Sequence, residues 1–367
     1  MFAPTRRGFA GLTRVMQHRN PPAFPRRARA LLIGTALLVL LLAALFPRSA
    51  SAPPRLPPKG EGDAFLHLIT IERIRAGDPY YQAVGQELRR GRYPATQVFN
   101  WRTPAHFLMV ATLSVAAARI LLKMLAFAAL LLTILVLARG SRTVVVVGAI
   151  AQLGAMATAF KPMAVGVGEV WAGVLVALSL CAYVRHRWAV AAALAIAAVF
   201  TRELAAPYCV ACALIATSEH RRREVHVWIA GGVAYALYFA LHVSQVWAHQ
   251  LPSDLSQTES WLRWNGLEFI VATLRVNGWL GMAPRWLGGL YMILALAGTA
   301  SPRVPRQIAV PLLAYVVLFT FSGQPFNYYW GWVTAPIWAF ASAYGVDGLH
   351  SLIASIRRPE LLPAPPA

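Results

Sequence analysis

Carboxylates are scarce in this chain, and the places where they gather are informative. Fourteen Asp and Glu stand against thirty-four Lys and Arg. Four of the fourteen, Glu61, Asp63, Glu72 and Asp78, fall within "GEGDAFLHLITIERIRAGDPYY" at 60–81. Inside it "AFLHLITIERI" reads as an amphipathic helix ending at Gly77, and Asp63 and His67, four residues apart, share one face of it. Glu72, Asp78 and Glu87 read as a solvated face balancing Arg73, Arg75, Arg89 and Arg90. A second polar group, "TRE" at Thr201, Arg202 and Glu203, interrupts an apolar run. In one continuous helix its Arg and Glu would each cost about 2.5–3.5 kcal/mol at mid-bilayer. The run therefore reads as two short helices meeting near one membrane face, with the charges in a cavity or an inter-helix pair.

The elements that must position these groups are apolar. Hydrophobic residues make up 58% of the chain and charged residues 13%, where a soluble domain has roughly 25%. This composition excludes a soluble globular protein. The net charge of +20 could suggest nucleic acid, but Arg and Lys sit in short clusters between apolar runs, as topology signals do, so nucleic acid is rejected as a partner. Cys181, Cys209 and Cys212 lie in apolar segments, lack a second ligand pair and read as packing residues. "TRRGF" and "SASA" imitate export and cleavage signals but precede many further spans.

The residues 104–138 decide the topology. A bilayer core of roughly 30 Å needs about 20 helical residues, so 119–138 can cross and 104–118 reads as a short interfacial helix. One crossing there keeps the basic clusters at Arg139/Arg142, Arg185/Arg187, Arg221–Arg223, Arg303/Arg306 and Arg357/Arg358 on the side of the N-terminus, as the positive-inside rule prefers. The expected fold is an all-α polytopic membrane protein of about ten spans, near 30–46, 119–138, 143–160, 164–184, 188–200, 204–217, 225–247, 286–299, 307–322 and 330–347. A basic cytoplasmic N-terminus, 1–29, precedes the transmembrane domain, 30–347, and a Pro-rich cytoplasmic tail, 348–367, follows. External loops are expected at 47–118 and 248–285. The external face then collects the 60–81 stretch, the "FKP" turn with Lys161, Glu169 beyond it, the "TRE" corner and "GQPFNYYW" at 323–330. Trp261, Trp264, Trp279 and the aromatics of "FNYYWGW" read mainly as a membrane-interface belt.

An Asp soon after the first span, then aromatics, then "GDPYY" and "YP" at Tyr93 and Pro94, resembles the first external loop of the GT-C glycosyltransferases. "GEVWAGVLVALSL" at 168–180 and "FTRELAAPYCV" at 200–210 are similar to segments of bacterial members. One departure is that Glu61-Gly62-Asp63 stands where many members have adjacent acidic residues. The resemblance implies an integral membrane enzyme of the inner (plasma) membrane that takes a sugar from a polyprenyl-phosphate carrier and passes it to an envelope glycan or lipid acceptor on the outer face. It implies Asp63, with Glu61 next to it, as the carboxylate that activates the acceptor hydroxyl or helps position a divalent metal. Displacing a lipid phosphate from an anomeric carbon needs a base for the incoming hydroxyl and cations for the developing charge. Lys161, Arg202 and Arg275, or Arg285, would hold the phosphate, and Arg102, Glu203 and Tyr328 complete the expected substrate site. Arg202 could instead pair with Glu203 or Glu169. The alternative is a secondary transporter or lipid flippase, which would show repeated halves; none is evident, and only the "TRE" break favours it.

Overall fold

A computed structural model of the protein describes residues 62–256 and 260–357. Glu61, the first expected span at 30–46 and the Pro-rich end beyond Arg357 lie outside the described residues. Those described are helical, with no strand and one isolated bridge between Leu262 and Ser322.

Two helices, α1 (Asp63–Arg75) and α2 (Tyr80–Arg90), precede the short α3 (Pro104–Leu113). The amphipathic pattern expected in α1 is weaker than that of α2, which buries Tyr80, Ala83, Val84, Glu87 and Leu88 on one face. Glu87 is therefore not on a solvated face. It is buried and pairs with Arg73 at 3.1 Å. Glu72, with its side chain 59% exposed, fits the expectation.

The expected break inside 104–138 lies at Ser114, whose φ of 74° ends α3. Its side chain then caps α4 (Val115–Leu137), four residues before the expected start. The bundle continues with α5 (Arg142–Met156), two 3-10 turns at Ala157–Phe160 and Pro162–Gly166, α6 (Gly168–Val184), α7 (Trp188–Thr201), a 3-10 turn at Glu203–Ala205, α8 (Ala206–Ser218) and α9 (Arg222–His249). The segment expected as an outer loop carries α10 (Gly266–Leu274) and α11 (Gly278–Met282), and α10 buries Phe269, Ile270 and Leu274 in the main core. Then come α12 (Arg285–Thr299), α13 (Arg306–Phe321), a 3-10 segment Pro325–Trp330, α14 (Gly331–Ala343) and α15 (Gly345–Arg357). The span expected at 330–347 is thus two helices broken at Tyr344, and helix extends to Arg357 through the start of the expected tail. Small residues permit this: a Cβ on Gly348 would overlap the Ala297 carbonyl of α12.

Three described segments are long and apolar enough to cross a membrane: Val115–Leu137, Arg142–Phe160 and Arg222–His249. Gly168–Val184, Trp188–Thr201, Glu203–Ser218 and Arg306–Phe321 are shorter apolar helices. Helices α6 and α14 are apolar all round and buried nearly all round, as central helices must be. Small residues let backbones approach: Ala191, Ala192, Ala195 and Ala198 of α7 are fully buried, and a Cβ on Gly173 would overlap the Trp332 carbonyl.

Tight turns fix the two ends of the bundle. Between α6 and α7, His186 takes a φ of 58° and Arg187 N–H donates back to Ala182 O at 2.8 Å; between α8 and α9, His220 takes 55° and Arg221 N–H donates to Ala216 O at 2.9 Å. Each is a Schellman-type stop that turns the chain antiparallel. Arg306 lies 3.7 Å from Glu219, and Arg303 2.9 Å from Asp347, so the α12–α13 turn joins this basic end. The opposite end holds 157–168, 201–206 and 323–330, and α1–α3 lie over it.

Candidate active site

At that opposite end the chain assembles a cluster of ions from four separate segments. Asp63 opens α1. Gly62 before it takes a φ of 103°, a conformation open to glycine and strained for an acidic side chain, which explains why the two acids flank a glycine here. After α2, Arg92 in the left-handed region (φ 55°) turns the chain so that the Tyr93 hydroxyl donates to Asp63 Oδ1 at 2.8 Å. Burial and the neighbouring Asp63 carboxylate push the Tyr93 phenol above its usual range, so it stays a donor.

Arg102 has a φ of 58°, unusual for a residue with a Cβ. Its surroundings enforce it. Trp101 is fully buried and donates from Nε1 to Ala95 O at 2.7 Å, Tyr80 Oη donates to Trp101 O at 2.8 Å, and Pro104 begins α3. Held this way, the guanidinium donates to Tyr329 Oη at 3.2 Å and lies 3.9 Å from both Asp63 Oδ2 and Glu169 Oε1. Burial alone would lower its pKa; Tyr329, Glu169 and Asp63 outweigh burial and raise it, so the cation persists.

Arg202 differs. It sits in extended backbone between α7 and the Glu203–Ala205 turn, is 4% exposed, donates from Nε to Glu169 Oε1 at 2.7 Å and pairs through Nη1 with Glu203. Glu169 lies in the first turn of α6, and Gly168 beside it lets α6 approach the Thr201 carbonyl. Arg202 is thus closed by two carboxylates, whereas Arg102 has no carboxylate within hydrogen-bonding distance.

Beneath the ions two histidines hold the Pro162–Gly166 turn. His67 Nδ1 lies 2.9 Å from Gly166 O and His106 Nε2 3.0 Å from Val165 O. A carbonyl only accepts, so those nitrogens carry protons. Burial pushes His67 down to about 4, helped by Arg102 and opposed by Asp63 and Glu169; His106 falls to about 4 by burial and by His67. The space between these rings, Glu169 and Arg202 has room for about one water. A substrate must approach from the other side of Arg102, where the Asp63 side chain is 39% exposed.

The structure brings together Asp63, Arg102, Arg202 and Glu203 of the residues expected from sequence. It does not bring in Lys161, exposed at the turn before Pro162, or Arg275, whose guanidinium donates to Ala283 O at 2.7 Å and Gly281 O at 3.2 Å. Arg285 is also exposed. Tyr328 is 39% exposed, and its neighbour Tyr329 faces Arg102 instead, positioned by Asn327 Nδ2 at 3.2 Å. Glu61 is outside the described residues. Tyr93, His106 and Tyr329 were not among the expected site residues. Among the described residues no three His, Cys, Asp or Glu side chains converge as a metal site. No family model, curated protein or solved structure matches the chain.

Proposed function

We propose that the chain is a membrane-embedded glycosyltransferase of the GT-C kind, using a polyprenyl-phosphate sugar as donor and an envelope glycan or lipid hydroxyl as acceptor. One juxtaposition supports the reading: the accessible Asp63 carboxylate lies 3.9 Å from a half-buried guanidinium, Arg102, that no other carboxylate approaches more closely. Asp63 takes the proton as the acceptor oxygen attacks the anomeric carbon. The bond from that carbon to the phosphate oxygen breaks with its electron pair, and Arg102 balances the charge gathering on the departing lipid phosphate. Tyr93 aims the carboxylate, Tyr329 aims Arg102, and Arg202 with Glu169 and Glu203 ties the supporting helices together. About ten spans, with the basic end cytoplasmic and the Asp63 end outside, follow from the positive-inside rule and are part of the proposal.

The test is purified protein with a panel of labelled polyprenyl-phosphate sugars and envelope acceptors. Label transfer by the native chain and none by Asp63→Asn is the expected result. Donor binding without transfer to any acceptor, or donor carried across a sealed bilayer, would overturn it.

A further inference from the structure

The opposite end of the bundle carries a second cavity that the proposed chemistry does not use. It opens at the turn between α8 and α9 and is lined by Thr217, His220, Arg222, Val225 and His226. The acids nearby are already engaged. Glu224 is 2% exposed, accepts from the Tyr183 hydroxyl at 2.6 Å and pairs with Arg221; Glu219 lies 3.0 Å from Arg221 and 3.7 Å from Arg306. No carboxylate lines the cavity, and Arg222, His220 and His226 present donors to it; the Thr217 hydroxyl spends its proton on Ala213 O at 2.9 Å. Whatever fits must be an anion with acceptor oxygens.

What lies below the cavity narrows the class. Val210, Leu214 and Thr217 follow one face of α8, and Arg222, His226, Ile229 and Val233 follow one face of α9. The two helices pack together and run antiparallel from one short turn, so Val210 and Leu214 on one and Ile229 and Val233 on the other all lead away from the cavity. All four apolar side chains are more than half exposed: Val210 58%, Leu214 61%, Ile229 58% and Val233 53%. The cavity caps an apolar trough running along a helix long enough to span a membrane. A cationic head pocket continuous with such a trough is complementary to one kind of molecule.

We propose that the α8–α9 turn binds an anionic glycerophospholipid, its phosphate among Arg222, His220 and His226 and an acyl chain along Val210, Leu214, Ile229 and Val233. This site is independent of sugar transfer and lies at the other end of the bundle.

The experiment reconstitutes full-length protein in nanodiscs of phosphatidylcholine without or with about one-fifth phosphatidylglycerol, an anionic lipid that basic sites attract, and reads thermal unfolding and lipid retained on extraction, by native mass spectrometry. The expected result is phosphatidylglycerol retention and a raised unfolding temperature in the native chain. Both should be lost in Arg222→Gln/His226→Gln and kept in Arg187→Gln, which is exposed at the same end but does not line the cavity. The double variant should unfold like the native chain in pure phosphatidylcholine, which separates lost binding from lost folding. Equal loss in Arg187→Gln would reduce the effect to general surface charge and overturn the site. Protection by inorganic phosphate in detergent as strong as that by the lipid would make it a free-anion site and overturn the lipid assignment. Retention unchanged in the double variant would also overturn it.

Discussion

Two arginines in one cluster make opposite predictions. Arg202 is buried between Glu169 and Glu203, so Arg202→Ala leaves a buried carboxylate uncompensated, a loss of about 3–5 kcal/mol. It should reduce folded yield and thermal stability before activity can be read. Arg102→Lys keeps the charge and loses the planar fork, so it should fold and raise the donor concentration for half-maximal rate; Arg102→Ala should raise it further. Donor titration of well-folded variants, beside thermal unfolding, separates the roles, and intact folding of Arg202→Ala would refute this division. Asp63→Asn keeps shape and removes the proton acceptor, so turnover should fall roughly 100-fold or more with donor binding nearly intact. Glu72→Gln, at an exposed position 3.7 Å from Arg75, should be almost silent. Wild-type turnover in Asp63→Asn at saturating donor would remove the base. Position 102 adds a sharper contrast. A left-handed backbone disfavours a residue with a Cβ by about 1–2 kcal/mol. A library there sorted only for folded yield should enrich Gly and Asn, and one sorted for transfer should enrich Arg.

The elements were more legible than the contacts between them. Runs of apolar residues bounded by Arg clusters marked most of the helices, and the cost of burying Arg202 and Glu203 located the α7–α8 corner. Arg202 and Glu203 could be found because they are charges in an apolar run, and Asp63 through the resemblance of its loop. Tyr329 could not be told from Tyr328 because a 3-10 turn advances about a third of a circle per residue, and only Asn327 and Arg102 decide which ring faces inward. His106 gave no signal, since nothing local shows that the 162–166 carbonyls come to meet it. Lys161 and Arg275 shared the residue type of the site without its position. The two imidazoles also make this layer sensitive to acid. Both are depressed in the fold to about 4 from an ordinary 6.5, so the unfolded chain binds more protons between those values. Their contribution is intact above pH 6.5 and is lost as pH falls toward 4, by roughly 2 kcal/mol per ring at pH 5. Unfolding temperature in detergent should drop from pH 7 to pH 5. It should drop less in His67→Asn/His106→Gln, which keeps an N–H donor at each bonded position without a titrating ring; an equal drop would place the acid sensitivity elsewhere.

At the scale of the whole molecule the two ends differ in chemistry, basic turns at one and the ion cluster at the other. Reporters fused after residues 142, 187 or 223 should read cytoplasmic and those after 100 or 265 external. An external signal at 223 would overturn the span count and move the site. Among the helices that join the ends, one stands apart. Helix α9 is the longest among the described residues and among the least buried, and it is held where it leaves the bundle: His242 meets Tyr81 at 3.2 Å, and Arg89 of α2 donates to His249 O at 2.8 Å and to Asp254 at 2.6 and 3.0 Å. Arg89 also lies over the ring of Trp101, the residue before Arg102. At 1.5 Å per residue the 28 residues of α9 make a rod about 42 Å long, comparable to a bilayer with its headgroups. A rod of that length fastened to α2 should respond to membrane thickness. In a thinner bilayer it must tilt, and the tilt is delivered through Arg89 to the floor beneath Arg102. Transfer measured in phosphatidylcholine bilayers of increasing acyl length should therefore pass through a maximum instead of rising or falling steadily. Breaking the clasp with Asp254→Asn should flatten that dependence.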